Sequence, residues 1–201
     1  MLRPPAPPAA RPAAPGPAQP PDEVLTRRAA LGDKEAFAAI VARHGPALYR
    51  YAYRLLDDPS GIEDVLQDTC LDAWRGLPRF RGDSSLRTWL FTLTRHRVHT
   101  LRPRFSASGT RPHVDIDDAL NQVPAPHADP AQHNIDSSLL RALDAALRLL
   151  PVRQRSAWIL KEIEDLSYAE IATVLAVTPE SVRGLLERAR ASLAHSMKEW
   201  R

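Results

Sequence analysis

The sequence predicts an all-α protein with two small helical domains joined by a flexible linker, the C-terminal one containing a helix-turn-helix. Apolar residues recur at helical spacing on both sides of a middle segment in which prolines are scattered. Near the C-terminus, two N-terminal helix caps follow each other closely, and proline occupies the first position of the second helix. The length of 201 residues allows one domain or two small ones, and the proline-rich middle segment favours two.

Composition divides the chain into four parts. Residues 1–21 are mostly proline and alanine, and frequent proline prevents helix and sheet, so we expect a disordered tail. Residues 22–102 follow a helical pattern. Residues 103–135 contain five prolines and four aspartates, which is typical of a flexible linker, with room for a short helix at 116–123. The helical pattern returns in residues 136–201, which form the second predicted domain.

Local signals predict where helices begin and end in the first domain. Gly45-Pro46 is expected to interrupt the second helix, because proline removes a backbone donor and clashes with the preceding turn. Ser60 and Glu63 are expected to form a capping box at the start of the next helix. The last helix of the domain is predicted over residues 86–98.

The segment 167–183 is the most informative part of the chain. Ser167 and Glu170 match a capping box, and Thr178 followed by Pro179 marks a second helix start after a short turn. This spacing predicts a helix-turn-helix whose second helix can enter a DNA major groove. From this segment alone, an ordinary helical hairpin remains an alternative. The positions of the second helix expected to reach phosphates or base edges are Arg183, Glu187, Arg188 and Arg190.

Charge is distributed unevenly although the net charge is only +3. All charged residues in 57–72 are acidic, whereas 75–104 contains eight arginines and a single acid, Asp83. Adjacent acidic and basic faces suggest two different partners, one of them a polyanion. Two solvated helix surfaces would explain the same pattern, and charge alone does not separate these interpretations.

Several classes of protein are disfavoured by the sequence. The single cysteine, Cys70, excludes a disulfide framework and is expected to be a small buried hydrophobe. No apolar run is long enough to cross a membrane and the N-terminus lacks a signal core, so we expect a cytoplasmic protein without membrane insertion. His96 and His99, together with Cys70 or His113, lack the regular spacing of structural zinc ligands. We therefore expect neither a metal nor another cofactor.

Two blocks of the sequence resemble the extracytoplasmic-function (ECF) sigma factors of the sigma-70 superfamily. The first block comprises Glu63-Asp64-Val65-Leu66-Gln67-Asp68-Thr69, Ala73-Trp74-Arg75, Phe80-Arg81-Gly82-Asp83-Ser84 and Arg87-Thr88-Trp89-Leu90-Phe91. The second comprises Leu149-Leu150-Pro151, Leu166-Ser167-Tyr168-Ala169-Glu170-Ile171-Ala172 and Glu187-Arg188-Ala189-Arg190. Their order and spacing agree across nearly the whole chain outside the proline-rich tail.

This resemblance implies a transcription initiation subunit that performs no bond chemistry. Its expected partners are the bacterial RNA polymerase core, through the clamp helices of the largest subunit, promoter DNA, and an anti-sigma protein that covers both domains. The first domain would bind core polymerase and the −10 element, and the second domain would bind the −35 element.

The resemblance also assigns candidate residues to each task. Core-polymerase binding is expected from the polar side of one helix, at Asp64, Gln67, Asp68 and Asp72. Recognition and melting of the −10 element are expected from Arg81, Gly82, Asp83, Ser84, Arg87, Trp89, Arg95, His96 and Arg97. Binding of the −35 element is expected from Thr178, Glu180, Ser181, Arg183, Gly184, Glu187, Arg188 and Arg190. For Trp89, core packing is a competing role.

The chain departs from the family pattern at four positions. His96 stands where relatives commonly have Asn, and Thr100 stands where they often have Asp. Leu185 replaces a basic residue found in many relatives, and Glu180 replaces Gly. We therefore expect the preferred promoter sequence to differ from that of many relatives.

Two other functions compete with this interpretation. A free-standing helix-turn-helix repressor or activator would explain the C-terminal half but not the block at 80–91. A nucleic-acid-processing enzyme would need a catalytic constellation, and the sequence contains no glycine-rich phosphate loop or nucleophile motif. Asp64, Asp68 and Asp72 could imitate a magnesium site, but they lie along one helix face and lack converging ligands.

Overall fold

The computed structural model of the protein describes residues 20–56, 58–106 and 130–198. The predicted tail up to residue 19, most of the predicted linker and the possible helix at 116–123 lie outside these ranges. Regular structure within them is entirely helical. None of the described helices is both long enough and apolar enough to span a membrane.

Eight α-helices account for most of the described residues. In chain order they are α1 Asp22–Ala30, α2 Lys34–Leu55, α3 Ile62–Gly76, α4 Leu86–Ser106, α5 Pro130–Leu149, α6 Val152–Trp158, α7 Tyr168–Leu175 and α8 Pro179–Ser196. Short 3₁₀ turns at Pro59–Gly61 and Leu77–Arg79 flank α3, and a π-helical segment, Ile159–Ile163, follows α6. Helix α4 is thus longer than predicted, and α5 begins inside the segment that composition had indicated as linker.

The predicted interruption at Gly45-Pro46 is wrong, because α2 continues through both residues. Pro46 itself is exposed, so its ring needs no space in the core. Ile40 lies before it and Leu48 after it, and both are buried on the same side of the helix. Burial of this continuous apolar stripe offsets the cost of an internal proline, which is about 3 kcal/mol.

The predicted capping box of Ser60 and Glu63 is also wrong. Gly61 is the N-cap of α3, and it makes no side-chain cap hydrogen bond. Ser60 belongs to the 3₁₀ turn that precedes the helix, where its backbone N–H donates to the Asp58 carboxylate at 2.9 Å. The extra turn shifts the helix start, so Ser60 lies one residue too early to cap it.

The helix-turn-helix is confirmed, together with both of its predicted caps. Ser167 Oγ accepts from the Glu170 backbone N–H at 3.3 Å, and the Glu170 carboxylate accepts from the Ser167 N–H at 2.9 Å. The backbone N–H and the hydroxyl of Ser167 both donate to the Glu170 carboxylate, and these hydrogen bonds lower the pKa of Glu170. Thr178 caps α8 by accepting from the Ser181 N–H at 3.3 Å. Between the helices, Ala176 adopts the left-handed conformation, with φ of 53°, which ends α7.

The N-terminal and C-terminal helices share one hydrophobic core. Tyr51 of α2 packs edge-on against Phe91 of α4, with ring centroids 5.3 Å apart. The same continuous cluster includes buried residues of α7 and α8, such as Ile171 and Leu186. The Tyr51 hydroxyl also makes a buried hydrogen bond of 2.6 Å with the Ser156 hydroxyl of α6, and burial raises the pKa of Tyr51. The two sets of helices therefore pack directly on each other.

A buried arginine of α6 ties together the C-terminal ends of two other helices, α2 and α5. Arg155 of α6 donates to the carbonyl of Arg54 at 3.3 Å and to that of Arg148 at 2.9 Å. Both carbonyls lie in the last turns of their helices, where the helix dipole favours a positive charge. Arg54 adds an interhelical ion pair with Asp144 at 3.2 Å. This contact between α2 and α5 is a further link between the two halves.

The start of α1 is fixed on α2 by a small polar cluster. The Asp22 carboxylate binds Arg43 and lies 2.9 Å from Nε2 of His44, while the Pro20 carbonyl accepts from Arg43 at 2.7 Å. His44 is 7% exposed. The pKa of His44 is lowered, chiefly by burial; the Asp22 carboxylate opposes this effect, and the nearby charges of Arg43 and Arg87 add to it.

Acidification should therefore weaken the fold through His44. The unfolded chain keeps an ordinary histidine pKa of about 6.5, so it binds a proton that the folded protein takes up only at lower pH. This stabilising contribution is complete above about pH 7 and is lost as the pH falls below the ordinary histidine pKa toward the lowered pKa of the folded protein. Urea unfolding of wild type and His44→Gln should show wild type losing stability relative to the variant over this interval. Parallel pH profiles would contradict the assignment.

Candidate functional site

The acidic row on α3 is divided by an intramolecular ion pair. Asp64 and Gln67 are exposed, but Asp68 and Asp72 are half-buried and face α4. Arg97 of α4 contacts the Asp72 carboxylate with two nitrogens and Asp68 at 3.3 Å. The hydrogen bond with Asp72 raises the pKa of Arg97. The structure thus joins two residues predicted to bind polymerase with one predicted to bind DNA.

The loop before α4 forms an open cavity of about 290 Å³. Gly82 has φ of +79°, a conformation that favours glycine, and this turns the loop around the cavity. Six residues line it: Arg79, Phe80, Arg81, Asp83, Ser84 and Trp89. The last four of these were predicted as −10 contacts. Arginine, carboxylate, hydroxyl and aromatic groups can together hydrogen-bond and stack a planar heterocycle.

Trp89 forms one wall of this cavity and packs against two neighbours. Its ring centroid lies 4.9 Å from that of Phe80, with the planes tilted by 38°. On its other side, a Cβ atom at Gly76 would lie 2.8 Å from Cζ2 of the indole, closer than atoms can approach. Gly76 is therefore required for the position of Trp89. The indole is only half-buried, so packing and ligand contact are compatible.

Other predicted −10 residues of α4 contact the C-terminal helices. Arg87 donates to the Glu164 carboxylate at 3.0 Å, and Arg95 donates to the Val174 carbonyl of α7 at 3.3 Å. Beside them, the Thr88 hydroxyl donates to the Glu170 carboxylate of the capping box at 3.1 Å. In contrast, His96 is exposed. Arg87 and Arg95, which the sequence assigned to nucleic acid, thus make contacts within the protein.

Glu164 was missed by sequence reasoning. Its side chain is 1% exposed and binds two arginines, Arg50 of α2 through both carboxylate oxygens at 3.0 and 3.1 Å, and Arg87 of α4 at 3.0 Å. It lies 114 residues from Arg50 and 77 from Arg87 along the chain. No local pattern reports a pairing over such distances, so only the packed structure reveals it.

Helix α8 presents a polar face to solvent. Its opposite side, which includes Leu185 and Leu186, is buried in the core. Gly184 is half-buried, and Arg190 pairs with Glu162 at 2.7 Å. The other candidates for −35 binding are exposed: Thr178, Glu180, Ser181, Arg183, Glu187 and Arg188. Because Leu185 packs inward, its departure from the family pattern affects the core rather than this exposed face.

Acidic and histidine side chains do not converge on a metal site in the described ranges. No group of three or more His, Cys, Asp or Glu residues there has the arrangement needed to hold an ion. Two carboxylates of α3, those of Asp68 and Asp72, instead bind Arg97.

Comparison with known proteins places these features in a family. The family model described as "Sigma-70 region 2" matches residues 40–104, and the family model described as "Sigma-70, region 4" matches residues 140–193. The chain is 33% identical over 178 residues to the RNA polymerase sigma factor NccH of Alcaligenes xylosoxydans xylosoxydans, covering 86% of this chain and 92% of that one. The chain belongs to the ECF sigma factors of the sigma-70 family. It directs promoter-specific transcription initiation by RNA polymerase.

Other relatives support the same membership. The ECF RNA polymerase sigma-E factor of Haemophilus influenzae is 31% identical over 188 residues, covering 88% of this sigma factor and 95% of that one. Such relatives are sigma factors, which are not enzymes.

Two solved structures are similar to the structure of this sigma factor. CnrH in complex with the cytosolic domain of CnrY has a TM-score of 0.66 at 29% identity, covering 89% and 97% of the two chains. RpoE in complex with the anti-sigma factor NepR from Bartonella quintana has a TM-score of 0.64 at 27% identity, covering 81% and 96%.

Adding a methyl group at residue 76 should disturb the cavity wall. Gly76→Ala forces the Trp89 indole to move, and we expect a loss of about 1–3 kcal/mol in the free energy of unfolding. Trp89→Phe removes the indole atoms that would clash. Urea unfolding of the two single variants and the double variant should therefore give a loss smaller than the sum of the single losses. Strict additivity would show that the clash is not the cause.

Proposed function

We propose that this sigma factor assigns its three tasks to three separate surfaces. Core polymerase would bind the exposed side of α3, the −10 element would bind the loop cavity and α4, and the −35 duplex would bind the exposed face of α8. Residues 22–102 would then serve as the polymerase and −10 unit, with 136–201 as the −35 unit. The observation that carries this assignment is the capped helix-turn-helix, whose second helix buries Leu185 and Leu186 while exposing its charged face.

The exposed part of α3 is suited to a basic partner. Asp64 and Gln67 face solvent and can engage arginines of the polymerase clamp helices without first breaking a contact. Asp68 and Asp72 already bind Arg97, so they would have to exchange this partner or share it. We therefore assign the first contact with polymerase to Asp64 and Gln67.

Charge reversal at Asp64 tests the polymerase surface. With purified core polymerase and a library of candidate promoters, wild type should give promoter-dependent transcripts. Asp64→Arg should lower its affinity for core polymerase about tenfold or more, because an attraction becomes a repulsion. Glu35→Arg reverses an exposed acid on a different helix, α2, and is the control for net charge. It should leave the affinity for core polymerase unchanged. Failure of wild type to direct any transcript would reject the proposed function itself.

The exposed face of α8 has the size and chemistry needed for duplex DNA. A helix fits the major groove, which is about 12 Å wide, and its first turns reach the base edges. Arg183 and Arg188 would supply the positive groups, and Glu187 can accept from a cytosine amino group. Arg190 would contribute only after releasing Glu162.

Arg188→Ala should weaken binding to −35 duplex DNA and change its dependence on salt. Loss of one phosphate contact lowers the slope of log affinity against log salt by about one unit. Arg153→Ala, at an exposed arginine of α6, serves as the matched control with an unaltered slope. Titrations of the holoenzyme with promoter DNA at several salt concentrations make this comparison. An identical slope for Arg188→Ala would remove this residue from the contact surface.

The loop cavity is suited to a base of the −10 element that has left the DNA stack. Unstacking costs a few kcal/mol, which must be returned by stacking and hydrogen bonding. Phe80 and Trp89 offer aromatic faces, while Asp83 and Ser84 offer hydrogen-bonding groups at the same cavity. The exposed His96 would contact bases nearby, where its imidazole replaces the amide common among relatives.

DNA binding by α4 would require the C-terminal helices to move away. Arg87 and Arg95 are occupied by Glu164 and the Val174 carbonyl, and the same positive groups cannot hold phosphates at full strength while these contacts persist. We therefore propose that the described packing is a closed form of the free factor. Binding to polymerase would favour separation of the two halves.

Weakening the Glu164 contacts should favour the open form. Glu164→Gln removes the charge that holds Arg50 and Arg87, and we expect the free factor to bind a single-stranded −10 oligonucleotide about tenfold more tightly. Glu162→Gln makes the same chemical change at the Arg190 pair and is the matched control. Fluorescence anisotropy gives both affinities. Unchanged binding by a folded Glu164→Gln protein would argue against closure.

We also propose regulation by an anti-sigma protein that covers both halves of the chain. Support comes from CnrH and RpoE, whose solved structures contain CnrY and the anti-sigma factor NepR, respectively. The factor would act in the cytoplasm, together with RNA polymerase, and would have no enzymatic activity of its own.

A further inference from the structure

An apolar groove between α2 and α3 has no role in the functions proposed above. It has a volume of about 360 Å³ and is open to the surface. Apolar and aromatic side chains make up most of its walls, including Phe37, Ile40, Tyr49, Leu66 and Cys70. A site of this size and character is typical of those that bind an apolar ligand.

The aromatic residues of the groove are held in place by their neighbours. Phe37 packs edge-on against Trp74 at 5.1 Å, and Tyr49 stacks with Tyr53 at 6.3 Å. Fixed aromatic walls reduce the entropic cost of binding, because the side chains need not be ordered when a ligand arrives. Aromatic-lined grooves are also the sites where proline-rich segments dock.

The described chain begins at the rim of this groove. His44 lines the groove and binds Asp22, the first residue of α1. One residue earlier along α2, Arg43 holds both Asp22 and the Pro20 carbonyl. Residues 1–19 therefore join the structure directly beside the opening, which gives them a high effective concentration there.

The sequence of residues 1–19 matches the chemistry of the groove. Residues 4–10 read Pro-Pro-Ala-Pro-Pro-Ala-Ala, without a charge or a polar side chain, and contain the spacing Pro-x-x-Pro twice. Such a segment can enter an apolar site without desolvating a charged group. At about 3.1 Å per residue, residues 11–19 can span roughly 28 Å, which is ample for a return from Pro20 to the adjacent groove.

We propose that residues 4–10 dock in cis into the groove between α2 and α3. The proline rings would pack against Phe37 and Tyr49, and the segment would cover Leu66 and Cys70. Docking does not depend on sigma activity. One consequence rests on the proposed function: α3 supplies a wall of the groove and also carries Asp64 and Gln67, so a docked segment would lie beside the polymerase surface.

Cys70 provides a direct probe, because it lines the groove and is the single cysteine of the sequence. Its reaction with an aromatic disulfide reagent can be followed in the full chain, in a variant lacking residues 1–19, and in a full-length variant with Pro4, Pro5, Pro7 and Pro8 all replaced by serine. Pro20, Asp22 and their contacts remain in all three proteins. The reactions of all three proteins are measured at the same pH, because burial raises the pKa of the Cys70 thiol and the thiolate is the reacting species.

Docking in cis predicts that Cys70 reacts at least about threefold faster in the truncated and serine proteins than in the full chain. Adding a synthetic peptide of residues 1–12 should slow the reaction of Cys70 in the truncated protein. In the full chain, the rate of this reaction should not depend on protein concentration. Equal rates in all three proteins would overturn the proposal. Protection that grows with protein concentration would overturn it in favour of a second copy. Urea unfolding of each protein checks that the rates do not reflect a change in global stability.

Discussion

The placement of Arg50 and Arg87 against the C-terminal half depends on one buried carboxylate. Glu164 is held at the end of the π-helical segment, where its N–H donates to the Ile159 carbonyl at 3.1 Å, and the next residue, Asp165, has a positive φ of 51°. This sharp turn directs the carboxylate between Arg50 and Arg87. A buried carboxylate costs several kcal/mol unless it is paired, so Arg50 and Arg87 compensate the burial of Glu164 between the two halves.

The proposed closed form would use the same chemical groups that nucleic acid needs. A guanidinium binds a carboxylate and a phosphate with the same fork of donors, so Arg87 can satisfy Glu164 or a DNA strand, but not both fully. The buried hydrogen bond between Tyr51 and Ser156 adds a neutral contact to this interface. In the proposed mechanism, competition for these donors would link the packing of the protein to DNA binding by α4.

The other surfaces remain accessible while the halves are packed together. The charged face of α8 points away from the core that contains Leu186, and Asp64 of α3 is exposed. The groove near Cys70 also opens to solvent. In the proposed mechanism, the factor would therefore meet polymerase through α3 and an upstream duplex through α8 before the −10 groups of α4 are released.

Local chemistry was enough to predict the helix-turn-helix, because the contacts of Ser167 with Glu170 and of Thr178 with Ser181 span only three residues. It failed at Gly45-Pro46, where burial of a continuous stripe outweighs the local preference of proline. The sequence by itself determined the helical class, the family and the polar faces of α3 and α8. Only the tertiary structure decided that Glu164 joins α2 and α4, because a pairing across more than 70 residues depends on how the helices pack and leaves no periodic signal.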